Sequence, residues 1–251
     1  VDVSLDYSEK EQHNSFRGQP KAYDWAIETL KLCQTYKKSA TIVFLGSKQN
    51  TSIENINGLF SIAKRYNAIL RMNMYRPTEG IDEKSKQFII DYATVVKILK
   101  HISNKYRIIA LNDVLFSTIL SESTIEDPSG NKSIRILSDG SITPSTYLIN
   151  NNYIVANITE HNVLEKLEKE ELISSIINEE IPSECISCVY VKECKGGVYD
   201  RRFLWNGSLS HKDPYCPNVF KERVSPSVVI ENNGFVSVHD GYLPTMFFAA
   251  D

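Results

Sequence analysis

Cys185, Cys188 and Cys194 stand within ten residues of one another in the stretch ECISCVYVKECKGG, and Cys216 follows 22 residues after Cys194. The only other cysteine is Cys33. The spacing C-x2-C-x5-C-x21-C has a chemical logic. A C-x2-C turn aims two thiolates at one metal centre without straining the backbone, and the x5 step lets a loop deliver a third. Gly196 and Gly197 give that loop conformational freedom, and Pro214 and Pro217 flank the returning Cys216. Four thiolates fit a structural zinc site or a [4Fe–4S] cluster. Zinc ribbons usually pair two short C-x2-4-C turns, and here the second half is a C-x5-C plus a lone Cys, so spacing alone leaves both metals open. A disulfide staple is the weakest reading, because such frameworks belong mainly to short secreted chains. Cys33 falls on the apolar side of a predicted helix and reads as a core residue.

The composition bounds what else the chain does. With 251 residues, 42% hydrophobic and 24% charged, it can bury one large core or two modest ones. A net charge of -3 supplies no basic footprint, so no nucleic-acid partner is expected. No segment approaches the roughly 20 apolar residues of a membrane span, so no membrane partner is expected either. No charged-then-apolar leader opens the chain, and the expected compartment is the cytoplasm. Val1 opens directly on the apolar run VDVSLD, from which we expect a piece of a longer protein. No serine-nucleophile motif, P-loop or H-E-x-x-H occurs.

The elements that must position the cysteines fall into two patterns. Strands are predicted over 1–6, 40–46 and 68–75, and helices over 21–38, 52–67 and 82–106, with Thr51 or Ser52 capping the second helix. On the first helix the apolar face is read as Ala22, Trp25, Ala26, Leu30 and Cys33. This alternation predicts an α/β fold with a parallel sheet covered by helices, and three strands are too few to close a barrel. After residue 107 a short strand and a short helix are expected. Short hairpin strands over 134–158, an acidic helix over 162–181, the cysteine loop, and a tail with two strands around Asn232-Asn233-Gly234 follow. The predicted division is 1–130 and 131–251.

Two regions then resemble one family. The block CISCVYVKECKGG, with Cys216 beyond it, after a DGSITP hairpin and an acidic helix, resembles the SPASM auxiliary-cluster domain of radical S-adenosylmethionine (SAM) enzymes. VSLDYSEKEQHNSFRG resembles the fourth strand and following loop of the radical SAM barrel. AILRMNMYRPTEG is similar to its sixth strand, with the P-x-G ending spaced by one residue more. The resemblance runs to about Phe220 and implies a partial (β/α) radical SAM barrel followed by a small cysteine-rich α+β auxiliary-cluster domain. It further implies that a SAM-cleaving [4Fe–4S] cluster, held by a C-x3-C-x2-C motif, lies upstream of Val1, since no such motif occurs here.

The family's full SPASM pattern supplies two auxiliary clusters, and this sequence departs from it. Ser145 stands where the DGSITP hairpin should carry a cysteine, and Val198 stands four residues after Cys194 where another is expected. One ligand set is absent as a whole and the other is present as a whole. The resemblance therefore implies one auxiliary [4Fe–4S] cluster on Cys185, Cys188, Cys194 and Cys216. It also implies SAM contacts at Ser4, at Arg17 (whose guanidinium fork suits a carboxylate), at Asn50, and at Met72 to Tyr75. His13 matches the family's HD-like loop, with Asn14 in place of Asp, and is expected to be structural. His239 and Asp240 read as turn chemistry. The implied substrate is a peptide or protein, the implied reductant a flavodoxin or ferredoxin, and the implied chemistry hydrogen abstraction by a 5′-deoxyadenosyl radical. The competing reading is a non-enzymatic zinc module for protein interaction, held by the same four cysteines.

Overall fold

The computed structural model describes residues 1–121, 125–127, 133–178, 180–217, 221–236 and 244–250. The chain opens with β1 (Asp2–Ser4), α1 (Lys10–Arg17), α2 (Ala22–Thr35), β2 (Thr41–Gly46), α3 (Ile53–Tyr66) and β3 (Ile69–Met74). Next come α4 (Glu83–Lys86), α5 (Tyr92–Lys105), β4 (Arg107–Leu111) and α6 (Val114–Ser121). The second half holds β5 (Arg135–Ile136), β6 (Ser141–Thr143), β7 (Ala156–Asn157), α7 (Val163–Lys169) and α8 (Glu171–Ile177). It ends with α9 (Val191–Cys194), α10 (Tyr199–Asn206) and β8 (Met246–Ala249).

The first three strands pair in parallel, with Val3 beside Ile42 and Ile42 beside Leu70. Successive strand residues point to opposite faces. Ile42, Phe44, Leu70 and Met72 accordingly bury one face against Leu30 of α2, Ile56 and Leu59 of α3, and Leu99 and Ile102 of α5. Ser4, Val43 and Arg71 share the other face.

The sheet is larger than the three strands expected from sequence. β8 inserts between β3 and β4, antiparallel to both, giving the order β1-β2-β3-β8-β4. All four residues of β8 are buried. A four-residue apolar run that is buried on both faces has no alternation to identify it, and its partners lie more than 130 positions away in the chain. The tail thus contributes one strand of the described residues to the first sheet, and Ile230 forms an isolated bridge with Ile108. The predicted second tail strand falls largely within 237–243, outside the described residues. The hairpin prediction for 134–158 holds, since β5, β6 and β7 form a small antiparallel sheet.

Two long predicted helices are broken. In 82–106 the chain leaves helical geometry before Asp91, which is extended and accepts a hydrogen bond from the Thr94 amide at 2.7 Å. A side chain that can bond the backbone in this way favours a helix start over a helix interior. In 162–181 the break is at Glu170, at φ -72° and ψ 126°. Leu167 and Ile173 both pack on the core of Ile142, Val155 and Ala156. Six residues apart, they would lie on different sides of one straight helix, so the kink is what lets both bury. Residues 10–17, expected as loop, form α1. Trp25 is 55% exposed, not core, because the buried stripe of α2 is Ala26, Leu30 and Cys33, one position round from it. Ser52, not Thr51, caps α3.

The Asp91 cap gives a pH-dependent expectation. The Thr94 amide holds the Asp91 carboxyl below its ordinary range, with partial desolvation opposing it. A lowered folded value means that the stabilisation is present above the ordinary carboxylate pKa of about 3.9. It is lost as pH falls through the folded value. Asp91→Ala should cost about 1 kcal/mol at neutral pH. In urea titrations the difference from wild type should shrink as pH drops below that range.

Candidate metal centre and cofactor groove

Cys185, Cys188, Cys194 and Cys216 are all free thiols, and all four line one apolar pocket, with Leu115 and Ile119 of α6 forming another part of its wall. Cys185 ends a short 3-10 turn (Ser183–Cys185), and the Cys188 amide donates to the Cys185 carbonyl at 3.0 Å, closing the C-x2-C turn. Cys194 ends α9, after which Lys195, Gly196 and Gly197 all take positive φ. At Gly197 a Cβ would lie 2.2 Å from that of Asp213, so the loop requires glycine there for space as well as for conformation. Cys216 is set by its amide, which donates to the Asp213 carbonyl at 2.8 Å.

Among the described residues no three Cys, His, Asp or Glu side chains are arranged to hold a single metal ion. A zinc ion draws its thiolates to about 2.3 Å from one point, whereas a cubane takes one thiolate at each iron and spreads the four sulfurs around its body. Four free thiols around one common pocket are a donor set that either group takes. Burial pushes the Cys185 thiol up to about 11 and that of Cys194 higher still. Without a metal both are neutral thiols at physiological pH, and coordination is what would deprotonate them.

Sequence reasoning missed the charged groups that build this pocket. Arg201 and Arg202 on α10 are fully buried, as is Asp213. Arg201 pairs with Asp113, at the start of α6, and with Asp213 at 2.6 Å. Those two carboxylates hold its guanidinium well above the ordinary arginine value despite burial. Arg202 donates to the carbonyls of His211 at 2.9 Å, Lys195 at 3.2 Å, Glu180 at 2.9 Å, and Leu209. The available signal was the run Tyr199-Asp-Arg-Arg-Phe-Leu204, in which charges sit inside an aromatic and aliphatic frame.

The residues expected near SAM divide into three groups. Ser4 and Arg17 line one groove of about 290 Å³ beside the outer strand β1. Arg17 is held by Asp6, its Nε donating to Oδ2 at 2.6 Å. Asp6 is fully buried and organises the region. Its Oδ1 accepts from the Leu45 amide at 2.8 Å, and its carbonyl accepts from Asn50 at 3.3 Å and Asn55 at 2.9 Å. Its amide donates to His13 Nδ1 at 3.1 Å. That nitrogen therefore carries no proton, so the 3.8 Å approach of His13 to the Asp6 carboxylate is not an ion pair, and burial lowers the His13 pKa in keeping with a neutral ring. Asn50 is buried, with its amide spent on Asp6, Leu45 and Ser47. Met72 is separate: its side chain lies in the core under the helices, and its carbonyl accepts from Thr245 Oγ1 at 3.1 Å. His239 and Asp240 lie outside the described residues.

Ser145 and Val198 are both buried. Ser145 Oγ donates to Asp200 Oδ2 at 3.1 Å. The other Asp200 oxygen lies 2.9 Å from Arg76 Nε, and the Arg76 guanidinium sits 4.1 Å from the centre of the Tyr147 ring. Burial raises the Asp200 pKa against the opposing pull of Arg76 and Arg201. This buried network joins the residues after β3 to α10.

No family model matches the sequence. The chain is 23% identical over 242 residues to the AdoMet-dependent heme synthase of Methanosarcina barkeri (strain Fusaro / DSM 804), covering 86% of this chain and 66% of that relative. Among solved structures it is similar to native anSMEcpe with bound AdoMet and a Kp18Cys peptide, at TM-score 0.64 and 19% identity, covering 86% of this chain and 64% of that one. The same enzyme with bound AdoMet alone gives TM-score 0.64 and 19% identity, covering 86% and 63%. The chain thus spans slightly less than two thirds of the length of the proteins it matches, and over that span its mixed α/β fold is that of structures that bind AdoMet.

Proposed function

We propose that this chain is the C-terminal part of a radical SAM enzyme with a SPASM-like auxiliary domain, acting on a peptide or protein. The observation that carries the reading is the set of four free cysteines around one apolar pocket, in a fold similar to that of AdoMet-bound enzymes. The relative that binds a peptide alongside AdoMet supports the substrate class. In this reading residues 1–130 are the barrel portion and 131–251 the auxiliary portion, with β8 returned to the barrel sheet. A flavodoxin or ferredoxin would supply electrons, and a reducing cytoplasm suits five free thiols. No helix among the described residues is long and apolar enough to cross a membrane.

The chain's own residues have distinct tasks. Cys185, Cys188, Cys194 and Cys216 would hold an auxiliary [4Fe–4S] cluster, and four protein ligands leave no iron open for substrate, so its role is electron transfer or shaping the pocket. Arg17, oriented by Asp6, would bind the SAM carboxylate, with the Ser4 hydroxyl in the same groove. Asn50 would act by holding the ends of β1 and β2, and the backbone from Met72 to Tyr75 would meet the adenine. SAM, once reductively cleaved, supplies the radical that abstracts hydrogen from the substrate. The ligands for the cleaving cluster would come from outside these 251 residues, because no C-x3-C-x2-C motif is present. With SAM and dithionite the chain alone is therefore expected to form no 5′-deoxyadenosine, and to form it once a segment bearing that motif is joined ahead of it. Turnover by the chain alone, or none by the joined protein, would overturn the reading.

A further inference from the structure

Arg202 has no exposed surface, and among the described residues no carboxylate forms an ion pair with it. Asp213, whose charge acts on it, is already paired with Arg201. Its neighbour is thus a neutralised cation, whereas Arg202 bonds only to backbone carbonyls. Isolated buried charge is strongly unfavourable, and buried charges are as a rule paired with an opposite charge. The location identifies that charge. Arg202 lies against the cysteine loop: a Cβ at Gly196 would come 3.1 Å from its Cζ. Its four acceptor carbonyls belong to the segment before Cys185 (Glu180), the residue after Cys194 (Lys195) and the segment before Cys216 (Leu209 and His211). One guanidinium therefore gathers every stretch of chain that delivers a cysteine.

We propose that Arg202 is a positioning residue with a second role, as the buried counter-cation of the four-thiolate cluster that sets its reduction potential. This deepens the proposed function and rests on the four cysteines holding a [4Fe–4S] cluster. One-electron reduction adds negative charge to a cluster that is already anionic. A fixed cation beside it in a low-dielectric pocket favours the reduced form.

The test is a potentiometric titration, followed by electron paramagnetic resonance, of the anaerobically reconstituted chain and two variants. Iron analysis of the wild type comes first: zinc there removes the cluster reading itself, independently of Arg202. With iron present, Arg202→Gln should make reduction about tenfold less favourable, a midpoint lower by roughly 59 mV. Arg202→Lys, which keeps charge without the fork, should stay within about threefold of wild type. If Arg202→Gln takes up no iron, uptake by Arg202→Lys with a near-native midpoint still supports the charge requirement. An unchanged midpoint in Arg202→Gln, an equal drop in both variants, or equal loss of iron from both would overturn it.

Discussion

Arg201→Met is expected to destabilise the protein by about 3–5 kcal/mol, the usual consequence of removing one partner from a buried ion pair. The side chain is fully buried between two carboxylates, donating from Nε to Asp213 at 2.9 Å and from Nη2 to Asp113 at 3.1 Å. Both acids have further tasks. Asp113 accepts from the amides of Leu115 and Phe116 at the start of α6, and Asp213 accepts from those of Val198 and Tyr215. Without the guanidinium two buried negative charges would face each other. The surrounding rings of Phe116 and Tyr215, at 5.6 and 5.2 Å, cannot neutralise them. Urea unfolding of the variant should show the loss, and a cost below about 1 kcal/mol would contradict the structural role of the triad. Arg201→Lys should recover only part, since an ammonium cannot make both forks.

Cys216→Ala is expected to leave one iron of the cubane without a protein thiolate, with iron and acid-labile sulfide below wild type after anaerobic reconstitution and a changed paramagnetic resonance spectrum of the reduced cluster. Each ligand in a four-thiolate site holds a separate iron of the cubane, and of the pocket's other polar wall residues Tyr190 accepts from the Val224 amide and Lys212 pairs with Glu184. Cys33→Ala is the control. Cys33 is buried in the core of the first sheet and does not line the cysteine pocket, so iron content should be unchanged. Equal iron with an unchanged spectrum in Cys216→Ala and wild type would exclude Cys216 as a ligand.

The sequence made the local pattern legible wherever one physical signal acted alone. β2, ATIVFLG in the sequence, is β-branched and unbroken, and α3 begins where Ser52 can bond the Asn55 amide. The signals failed where distant partners decide. MFFA at 246–249 becomes a central strand only because β3 and β4 leave a slot between them. Helical spacing put Trp25 on the core side, but the sheet takes the neighbouring stripe of Ala26 and Leu30. At the site, the spacing of the cysteines was readable and their bracing was not. Asp-Arg-Arg at 200–202 sits in an aromatic and aliphatic frame, but nothing in the sequence announces that Asp113, 88 positions before Arg201, will meet it. The groove shows the same limit: Arg17 and Ser4 do share it, but the buried Asp6 that ties Arg17 to Asn50 and His13 emerges only from the contacts.

The central claim is that four thiolates of this chain hold one cubane. Metal and sulfide analysis of the anaerobically purified wild-type chain tests it most directly. About four irons and four acid-labile sulfides per chain are expected. About one zinc per chain with no sulfide would contradict the claim.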